Sequence, residues 1–426
     1  MKTWFYWWHI GYVIELLLTG GVYLLSFIVP KLKAAISQRR TFEEKNDASY
    51  LSVKYEHGFH ISSEGELSQV FPVIEQIIDR KLKVILFYTS PSVEKKIIQL
   101  SHKYPTYLTT RRIVFARPDY RFLNNLELGT FSLCRYDFLP WLMLVGLKSE
   151  KFFLLNATSI KWRNQNFIMK YIRKLFYNQF NLITTSSPLD ENIFVNLVSS
   201  KNVINIDLRM IEIFKRQRYF RFRDLIDEDH LFGQEYSSRS RSICFGSAWP
   251  EDIEVFNQAN FKTMLLDQIP FVAIFPHSFS EDNLNKMIRI LKLNDTKYRI
   301  VKNIEDLSMS KRGEVSIVLV KGILCEVYPF FQHVVIGGGF GNSVHSVLEP
   351  MVAKCTTYCG PNVGRSTEVE NYLKSYRDKI YVCEDLVSLS KSLVKRSLGG
   401  DDCVYEEFEA PEQSKNYKKL LKYYEI

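Results

Sequence analysis

Apolar residues along the chain form short uninterrupted runs, which alternate with longer segments where they recur every three or four positions. Short apolar runs are typical of strands buried on both faces, and the longer pattern is typical of helices with one apolar face. Strands that alternate with helices form parallel sheets covered by helices on both sides. From about residue 50 onward the pattern therefore predicts an α/β fold.

The alternation falls into two blocks, which a basic and less regular segment, Met210–Arg241, separates. In the first block the predicted strands are Lys83–Tyr88, Arg112–Phe115, Gly129–Leu133, Phe152–Leu155, Leu182–Thr184 and Val203–Ile206. In the second block they are Ile243–Phe245, Phe271–Phe275, Val315–Val320, Val334–Ile336, Thr356–Tyr358 and Ile380–Val382. Two such blocks predict two Rossmann-like domains, which a chain of 426 residues also favours over one core.

The predicted organisation has five parts, of which the last is a Lys- and Tyr-rich helix. They are a membrane anchor with its basic flank (residues 1–40), a first Rossmann-like domain (41–209), a basic interdomain segment (210–241), a second Rossmann-like domain (242–412) and a C-terminal helix (413–426). Ligands of parallel sheets bind at the carboxyl ends of the strands. A cleft between the two domains is therefore the predicted binding site.

The first part contains an apolar run, Trp4–Val29, that is interrupted only by His9 and Glu15. Its length suffices to cross a bilayer, which takes about 20 residues. Four basic residues follow between positions 31 and 40 and only Lys2 precedes the run, so the rest of the chain is predicted to be cytoplasmic. A single span and a helix lying in the membrane plane both fit the run. A cleaved signal peptide fits less well, because the basic start is weak and the run is long.

The net charge indicates the class of partner, and the cysteine usage indicates the cellular compartment. The net charge of +9 indicates an anionic partner, which is a nucleic acid, a membrane surface or a phosphorylated substrate. The seven cysteines are odd in number and scattered, and the chain has neither a C-x-x-C nor an H-E-x-x-H motif. This usage predicts reduced cysteines in a cytosolic compartment and no dedicated metal site.

A glycine-rich stretch, Ile336–Pro350, carries the strongest local signal. It follows a predicted strand, and Asn342 and Ser343 are suited to cap a helix over Val344–Val352. A helix N-terminus offers backbone N–H groups and a positive dipole end to an anion such as phosphate. The spacing of the glycines matches neither the dinucleotide fingerprint nor a P-loop. On these residues alone, a tight turn that binds nothing fits as well as an anion site.

A second stretch, Gly58–Leu67, places acidic residues after a predicted strand. The sequence FHIS is followed by Glu64 and Glu66 and then by a helical pattern. Both carboxylates can cap the helix and complement its dipole. The alternative is that one of them is a general base directed into the predicted cleft.

Taken together, these stretches resemble the Kdo transferases, glycosyltransferase family 30, which add 3-deoxy-manno-octulosonic acid (Kdo) to a lipid A precursor. The family has a hydrophobic N-terminal membrane segment, a first loop of the form S-x-G-E, and two Rossmann-like domains of the GT-B type. Later segments resemble GSTWPEDE and IGGGFG-x-x-x-H-N-x-L-E, the latter followed by G-P. Over nearly its whole length this chain has the same order, with SEGE at 63–66, GSAWPED at 246–252, IGGGFGNSVHSVLE at 336–349 and Gly360-Pro361.

The resemblance implies inverting transfer of Kdo from CMP-Kdo to a lipid IVA-like acceptor, in lipopolysaccharide biosynthesis at the cytoplasmic face of a bacterial inner membrane. Glu66 then matches the base that deprotonates the acceptor hydroxyl, rather than Glu64. Asp137, within RYDFLP, stands where the family has a glutamate and is the second predicted catalytic residue; an exposed loop acid is the alternative. The donor carries one phosphate, so dipoles and hydroxyls suffice to stabilise its leaving group, and neither metal nor other cofactor is expected.

The same resemblance implies a set of donor-binding residues, mostly in the second domain. They are Arg209, Ser247, His277, Gly338, Gly339, Gly341, Asn342, His345 and Glu349. Arg209 and Ser247 are implied to contact the donor's anionic groups, and Glu349 the ribose hydroxyls. For each side chain a structural role is the alternative: a surface arginine, a helix cap or an ion pair.

The chain departs from the family pattern at Asp137, Ile211 and Ser346. Two other functions therefore stay open, namely a GT-B glycosyltransferase with another nucleotide sugar and a membrane-tethered binding protein without activity. The basic and aromatic segment Lys161–Lys174 is predicted to be either a solvated helix face or a surface for anionic headgroups and acceptor phosphates. Nucleic-acid binding is not expected, since no nucleic-acid-binding motif is present.

Overall fold

The computed structural model divides the chain into two compact units, Met1–Glu212 with Glu412–Ile426, and Ile213–Pro411. It describes residues 6–14, 17, 54–113, 125–135, 137–159, 167–198, 202–219, 242–267, 269, 271–309, 313–363, 369, 379–398 and 414–426. Each unit contains one seven-stranded parallel sheet. The predicted α/β class with two Rossmann-like sheets is therefore confirmed.

In the first unit the strands are ordered β3-β2-β1-β4-β5-β6-β7 across the sheet. The strands are β1 Lys54–Ile61, β2 Val84–Tyr88, β3 Leu108–Arg112, β4 Glu127–Cys134, β5 Lys151–Ala157, β6 Leu182–Thr185 and β7 Val203–Asn205. The helices are α1 at residues 6–14, α2 Glu64–Asp79, α3 Pro91–Lys103, α4 Pro140–Lys148, α5 Phe167–Tyr177, α6 Pro188–Leu197 and α7 Arg209–Tyr219, which runs across the boundary into the second unit.

In the second unit the order is β10-β11-β9-β8-β12-β13-β14. The strands are β8 Ile243–Ala248, β9 Val272–Pro276, β10 Lys297–Val301, β11 Glu314–Val318, β12 His333–Ile336, β13 Thr356–Cys359 and β14 Ile380–Val382. The α-helices are α8 Pro250–Ile253, α9 Ala259–Asp267, α10 Glu281–Leu293, α11 Leu324–Val327, α12 Leu348–Val352 and α13 Leu386–Leu398. Short 3₁₀ turns occupy Glu254–Asn257, Ile304–Met309 and Tyr328–Phe330.

Both faces of each sheet are buried, which explains the uninterrupted apolar runs. Along β2, Ile85 and Phe87 enter one core cluster while Leu86 enters another. Along β12, Val334 and Val335 likewise separate into two clusters. Since helices cover both faces, strand β2 is apolar or aromatic at every position, and the period-two alternation disappears there.

The wrongly predicted strands lie at sheet edges. The strand predicted at Arg112–Phe115 is found at Leu108–Arg112, and Lys297–Val301 was not predicted. Among the strands of the described residues, β3 pairs only with β2, and β10 only with β11. An edge strand keeps part of its surface in water, so the polar sequences LTTRR and KYRIV lack the apolar signal of the central strands.

The basic segment Met210–Arg241 is less irregular than predicted, because it begins within α7. Its remainder, residues 220–241, lies outside the described residues. The predicted C-terminal helix is present as α14, Lys415–Tyr423, and belongs to the first unit. There the fully buried Tyr424 shares a hydrogen bond of 2.7 Å with Ser132 of β4.

The predicted membrane anchor, Trp4–Val29, falls largely outside the described residues. Helix α1 is its described part, and Tyr12 of α1 is buried in the core of the first unit. Among the helices that can be described, none combines the length and apolar character needed to cross a membrane.

Candidate functional site

Each sheet has one point where the strand order reverses, and polar loops follow the two strands that flank it. In the first sheet these strands are β1 and β4, and in the second they are β8 and β12. In open parallel sheets, ligands bind outside the carboxyl ends of the strands at this switch point. Ser247 lies at the end of β8, and Glu66, Asp137 and the glycine-rich stretch lie in the segments that follow β1, β4 and β12, so all of them are near these switch points.

Glu66 lies in the first turn of α2, directly after β1. Ser63 caps the helix and its hydroxyl accepts a hydrogen bond from the Glu66 backbone N–H. The Glu66 side chain points back toward the strand, where Oε2 accepts from the backbone N–H and the hydroxyl of Ser62, each at 2.7 Å. Glu66 is 7% exposed, whereas Glu64 in the same turn is exposed. The structure thus separates two neighbouring acids that the local sequence pattern, without the family resemblance, does not distinguish.

The electrostatic environment of Glu66 suits a base. Burial raises the pKa of its carboxyl above the ordinary value, and the nearby Asp137 raises it further. The hydrogen bonds from Ser62 and the charge of Arg135 act in the opposite direction. A raised pKa makes the carboxylate a stronger proton acceptor, which is the property a general base needs.

Asp137 lies in the loop between β4 and α4, at the other side of the same switch point. Its side chain is 29% exposed, so the exposed loop acid weighed as an alternative does not describe it. Burial raises the pKa of Asp137, and the Ser62 side chain acts in the opposite direction. Behind it lies His60, whose Nδ1 is 3.5 Å from Asp137 Oδ2. No motif in the sequence indicates His60, which occupies one position of a predicted strand.

The glycine-rich stretch does not form the predicted turn into a helix. Asn342 and Ser343 do not cap a helix over Val344–Val352, because α12 begins only at Leu348 and has no side-chain cap. The backbone N–H groups of Val344 and His345 instead bond to the distant carbonyls of Asn362 and Gly337. The predicted helix over Val344–Val352 is therefore wrong at its start, so the stretch offers no helix N-terminus to an anion at Asn342 and Ser343, and His345 and Glu349 do not share a helical face.

The glycines are required by close backbone packing. Gly338 has a φ of +91°, which favours glycine, and a Cβ there would collide with the carbonyl oxygen of Ser343. A Cβ on Gly339 would lie 2.5 Å from the backbone nitrogen of Gly360. Gly341 has room, since its nearest neighbour would be the Glu251 side chain at 3.6 Å. The stretch is thus a loop folded tightly against the chain after β13.

Asp252 is a buried carboxylate at the candidate site that the sequence did not single out. It is fully buried, and Oδ2 accepts from the backbone N–H groups of Trp249 at 2.8 Å and Gly338 at 3.0 Å. Burial raises its pKa to about 6 although backbone donors bind its carboxylate. Asp252 therefore ties the loop after β8 to the glycine loop after β12. Asp252 is the last residue of the GSAWPED motif, and the resemblance concerned this motif as a whole without distinguishing Asp252 from its neighbours.

Three rings gather at the carboxyl ends of β8, β9 and β12. Trp249 stacks on His277 with ring centroids 4.8 Å apart, and His277 stacks on His345 at 4.3 Å. The indole N–H of Trp249 donates to Nε2 of His345 at 3.4 Å. Burial and the neighbouring His277 both lower the pKa of His345. Two predicted donor residues are therefore in contact, next to a tryptophan that was not predicted.

Ser247 sits at an irregularity of β8, where the pairing with β9 shifts register between Gly246 and Ala248. Its φ of +52° lies in the left-handed region, which costs a residue other than glycine about 1 kcal/mol. Such a conformation near a switch point favours a local functional role. Ser247, His277 and the loop glycines are thus brought to one end of the second sheet.

Glu349 is half-buried at the start of α12. Its backbone carbonyl accepts a hydrogen bond of 2.9 Å from the side chain of Gln217, on α7. On the same helix, Arg216 forms a two-fold hydrogen-bonded ion pair with Glu326, at 2.7 and 2.8 Å. The part of α7 that belongs to the second unit therefore stabilises the segment that contains Glu349. This contact was not predicted from the sequence.

Two predicted donor residues are placed differently from the others. Arg209 belongs to the first unit, where its guanidinium bonds to the carboxylate of Asp207, the shortest contact being 2.6 Å. Asn342 is exposed on the glycine loop. Within the described part of the chain, no group of three or more His, Cys, Asp or Glu side chains is arranged to hold a metal ion.

Two parallel Rossmann-like sheets with polar loops at their switch points define an α/β protein with a GT-B-like fold. Among solved structures, UDP-GlcNAc 2-epimerase from Neisseria meningitidis superposes with a TM-score of 0.54 at 10% identity, over 87% of this chain and 99% of that one. At this identity the likeness shows a common fold and nothing about activity.

Two looser similarities involve transferases. A glycosyltransferase from Rickettsia africae gives a TM-score of 0.47 at 11% identity, over 87% of this chain and 98% of that one. The C-terminal CMP-Kdo binding domain of WaaA from Acinetobacter baumannii gives 0.32 at 15% identity, over 43% of this chain and 95% of that domain. Neither superposition is close enough to carry an inference. The sequence matches no protein-family model and no curated protein.

Proposed function

We propose that this protein is an inverting glycosyltransferase that transfers Kdo from CMP-Kdo to a lipid A precursor. The observation that carries the proposal is the Glu66 carboxylate, which is buried at the switch point of the first sheet and has a raised pKa. Glu66 ends the S-x-G-E motif of the resembling family. The choice of CMP-Kdo as the proposed donor rests on the motifs at 246–252 and 336–349, which occur in the same order as in the resembling family.

In this proposal Glu66 accepts the proton of the acceptor hydroxyl. The oxygen then attacks the anomeric carbon of Kdo, the bond to the CMP phosphate breaks, and the electron pair leaves with CMP. A single displacement with one base inverts the anomeric centre. The two hydrogen bonds from Ser62 fix the Glu66 carboxylate, and fixing a catalytic group in this way is what a rigid strand end offers.

The donor half of the reaction is assigned to the loops after β8, β9 and β12. The three consecutive glycines at 337–339 have no side chains, so a nucleotide can approach the backbone of this part of the loop. Glu349 is proposed to accept hydrogen bonds from the ribose hydroxyls, as a carboxylate can from two vicinal groups. His277 and His345 are proposed to contact the anionic part of the donor.

The deciding experiment incubates the purified full chain with lipid IVA and CMP-Kdo generated in situ, followed by mass spectrometry of the lipid. We expect products heavier by one or more Kdo residues. Parallel reactions with UDP- and GDP-sugars test the alternative of another nucleotide sugar. Turnover of one of those donors, with none of CMP-Kdo, would overturn the donor assignment. Binding of a donor without turnover would support the inactive binding protein.

We also propose that the first unit rests on an anionic membrane at the cytoplasmic face. Helix α1 packs on α5, where Trp8 meets Phe176 edge to face and donates to Gln179 at 3.0 Å. Both helices present large apolar side chains to solvent, including Trp7 at 66% and Ile168 at 65% exposure. Basic residues of α5 accompany them, which is the composition of an interfacial surface.

We expect that the double substitution Ile168→Glu and Ile172→Glu lowers binding to phosphatidylglycerol vesicles by about tenfold or more, since two apolar side chains are lost from the interface. Co-sedimentation with vesicles measures the effect. The matched control is Leu293→Glu, which alters an exposed leucine of the second unit. Equal binding of the double variant and the control would contradict the assigned surface. Deleting residues 1–30 is a weaker test, because it removes the buried Tyr12 from the core.

A further inference from the structure

Two ring nitrogens meet between the segments that follow β8 and β12. Trp249 comes directly after β8, and its indole N–H donates to Nε2 of His345, which lies between β12 and α12, at 3.4 Å. A hydrogen bond of this length is long, so it depends on how firmly the two rings are held. His345 is a proposed contact of the nucleotide sugar. Trp249 therefore lies one hydrogen bond away from a proposed ligand contact.

The backbones that carry these two rings are joined independently of the ring contact. The buried carboxylate of Asp252 accepts from the backbone N–H of Trp249 at 2.8 Å and from that of Gly338 at 3.0 Å. The backbone N–H of His345 in turn donates to the carbonyl of Gly337 at 3.3 Å. Both side chains therefore start from backbone positions that are fixed relative to each other.

Both rings are also packed against a third ring. His277 stacks on Trp249 with the centroids 4.8 Å apart and on His345 with the centroids 4.3 Å apart. Cδ2 of His345 lies 3.6 Å from the point that a Cβ on Gly338 would occupy. The ring edge formed by Cδ2 and Nε2 therefore faces the protein. Nδ1 lies on the opposite edge and has no hydrogen-bond partner among the described residues.

The bond from Trp249 determines where the proton of His345 resides. An indole nitrogen is only a donor, so Nε2 of His345 is the acceptor and carries no proton. A neutral imidazole has one N–H, which then stands on Nδ1. An imidazolium would direct an Nε2 proton at the indole N–H. Burial and the neighbouring His277 both lower the pKa of His345, which favours the neutral ring.

We propose that Trp249 is a positioning residue that holds His345 as a neutral imidazole with its proton on Nδ1, so that His345 presents an N–H rather than a cation to an anionic oxygen of the nucleotide sugar. The role toward the nucleotide sugar rests on the proposed function, whereas the tautomer does not. Without the bond from Trp249 the proton can occupy either nitrogen. A hydrogen bond between neutral groups changes such an equilibrium by about two- to tenfold.

The first test needs no substrate, so it separates failure of this inference from failure of the proposed function. The chain has eight histidines, and His345→Ala identifies the His345 signals in ¹⁵N spectra of the histidine-labelled full chain. We expect the neutral Nδ1–H tautomer to predominate at pH 7. An Nε2–H tautomer or an imidazolium would overturn the proposal, whether or not the protein binds CMP.

The same spectra of Trp249→Phe test whether Trp249 sets this tautomer. Phenylalanine keeps an aromatic ring against His277 but has no N–H. We expect the ratio of Nδ1–H to Nε2–H at His345 to fall about two- to tenfold. An unchanged ratio would show that another contact sets the tautomer and would contradict the role of Trp249.

A double-mutant cycle with CMP binding, measured by calorimetry, tests the role toward the nucleotide. If the ligand binds the Nδ1–H form, the affinity falls by the factor by which the population of that form falls. We therefore expect Trp249→Phe to weaken CMP binding about two- to fivefold in the wild type. In the His345→Ala background the same substitution should have no measurable effect, because no tautomer remains to be set. Equal losses in both backgrounds would show that Trp249 acts without His345 and would overturn the positioning role.

Discussion

Replacing Glu66 by glutamine is expected to lower the rate of the proposed Kdo transfer by about 10²–10⁴-fold, because a positioned general base, the role proposed for Glu66, contributes that much to a rate. Glutamine keeps the size of the side chain, and its oxygen can still accept from Ser62, but it cannot take a proton. Binding of CMP, measured by calorimetry, should stay unchanged. Glu66→Ala should likewise abolish transfer while CMP still binds.

The control for this substitution is Glu64→Gln, two residues earlier in the same helical turn. Both variants remove one carboxylate from the first turn of the same helix. They differ in burial, because Glu64 is exposed and Glu66 is buried. We expect Glu64→Gln to keep the rate within about twofold, because a surface charge near a helix N-terminus contributes only about 0.3–1 kcal/mol to stability. Normal turnover of Glu66→Gln would rule out Glu66 as the base.

The raised pKa of Glu66 predicts how the transfer rate and the stability of the protein depend on pH. Transfer requires the ionised carboxylate, so the rate falls as the pH drops through a pKa that lies above the ordinary glutamate value. For stability the sign is opposite: the folded state binds the proton more tightly, so Glu66 stabilises the protein at low pH and this contribution is lost as the pH rises. Glu66→Gln should therefore lower activity without lowering the melting temperature at pH 7.

Replacing Gly339 by alanine is expected to weaken donor binding by about 10- to 100-fold. The new methyl group would lie 2.5 Å from the backbone nitrogen of Gly360, and two backbone segments cannot separate without moving the loop. Overpacking of this kind typically costs about 1–3 kcal/mol. The displacement would pull on Gly338, whose N–H is held by the buried Asp252. Calorimetric titration with CMP measures the loss.

Gly341→Ala is the matched control within the same loop. Its methyl group would meet the flexible Glu251 side chain at 3.6 Å, which is ordinary van der Waals contact. We expect CMP affinity to change by less than about threefold, because no atom has to move. If both variants bind CMP as the wild type does, the glycine loop is not part of the nucleotide site.

Much of the fold could be predicted, because central strands buried on both faces leave uninterrupted apolar runs. Strands such as β5 and β12 were found within a residue or two of their ends. The edge strands β3 and β10 were misplaced or missed, since water on one side removes the constraint that makes a sequence apolar. The helix predicted over Val344–Val352 begins only at Leu348. The N–H groups of Val344 and His345 bond to the carbonyls of Asn362 and Gly337, which are partners that local propensity does not reveal.

For the candidate site, the sequence by itself determined which residue types stand where a strand ends. It indicated Glu66, Ser247 and the glycine stretch through motif order. Only the tertiary structure decided that Glu66 is buried while Glu64 is exposed, and that Asp137 lies beside it with His60 behind. Burial, the approach of Asp137 to His60 and the collision at Gly339 are relations between segments far apart in the chain. They arise when packing brings those segments together, and no window of sequence contains them.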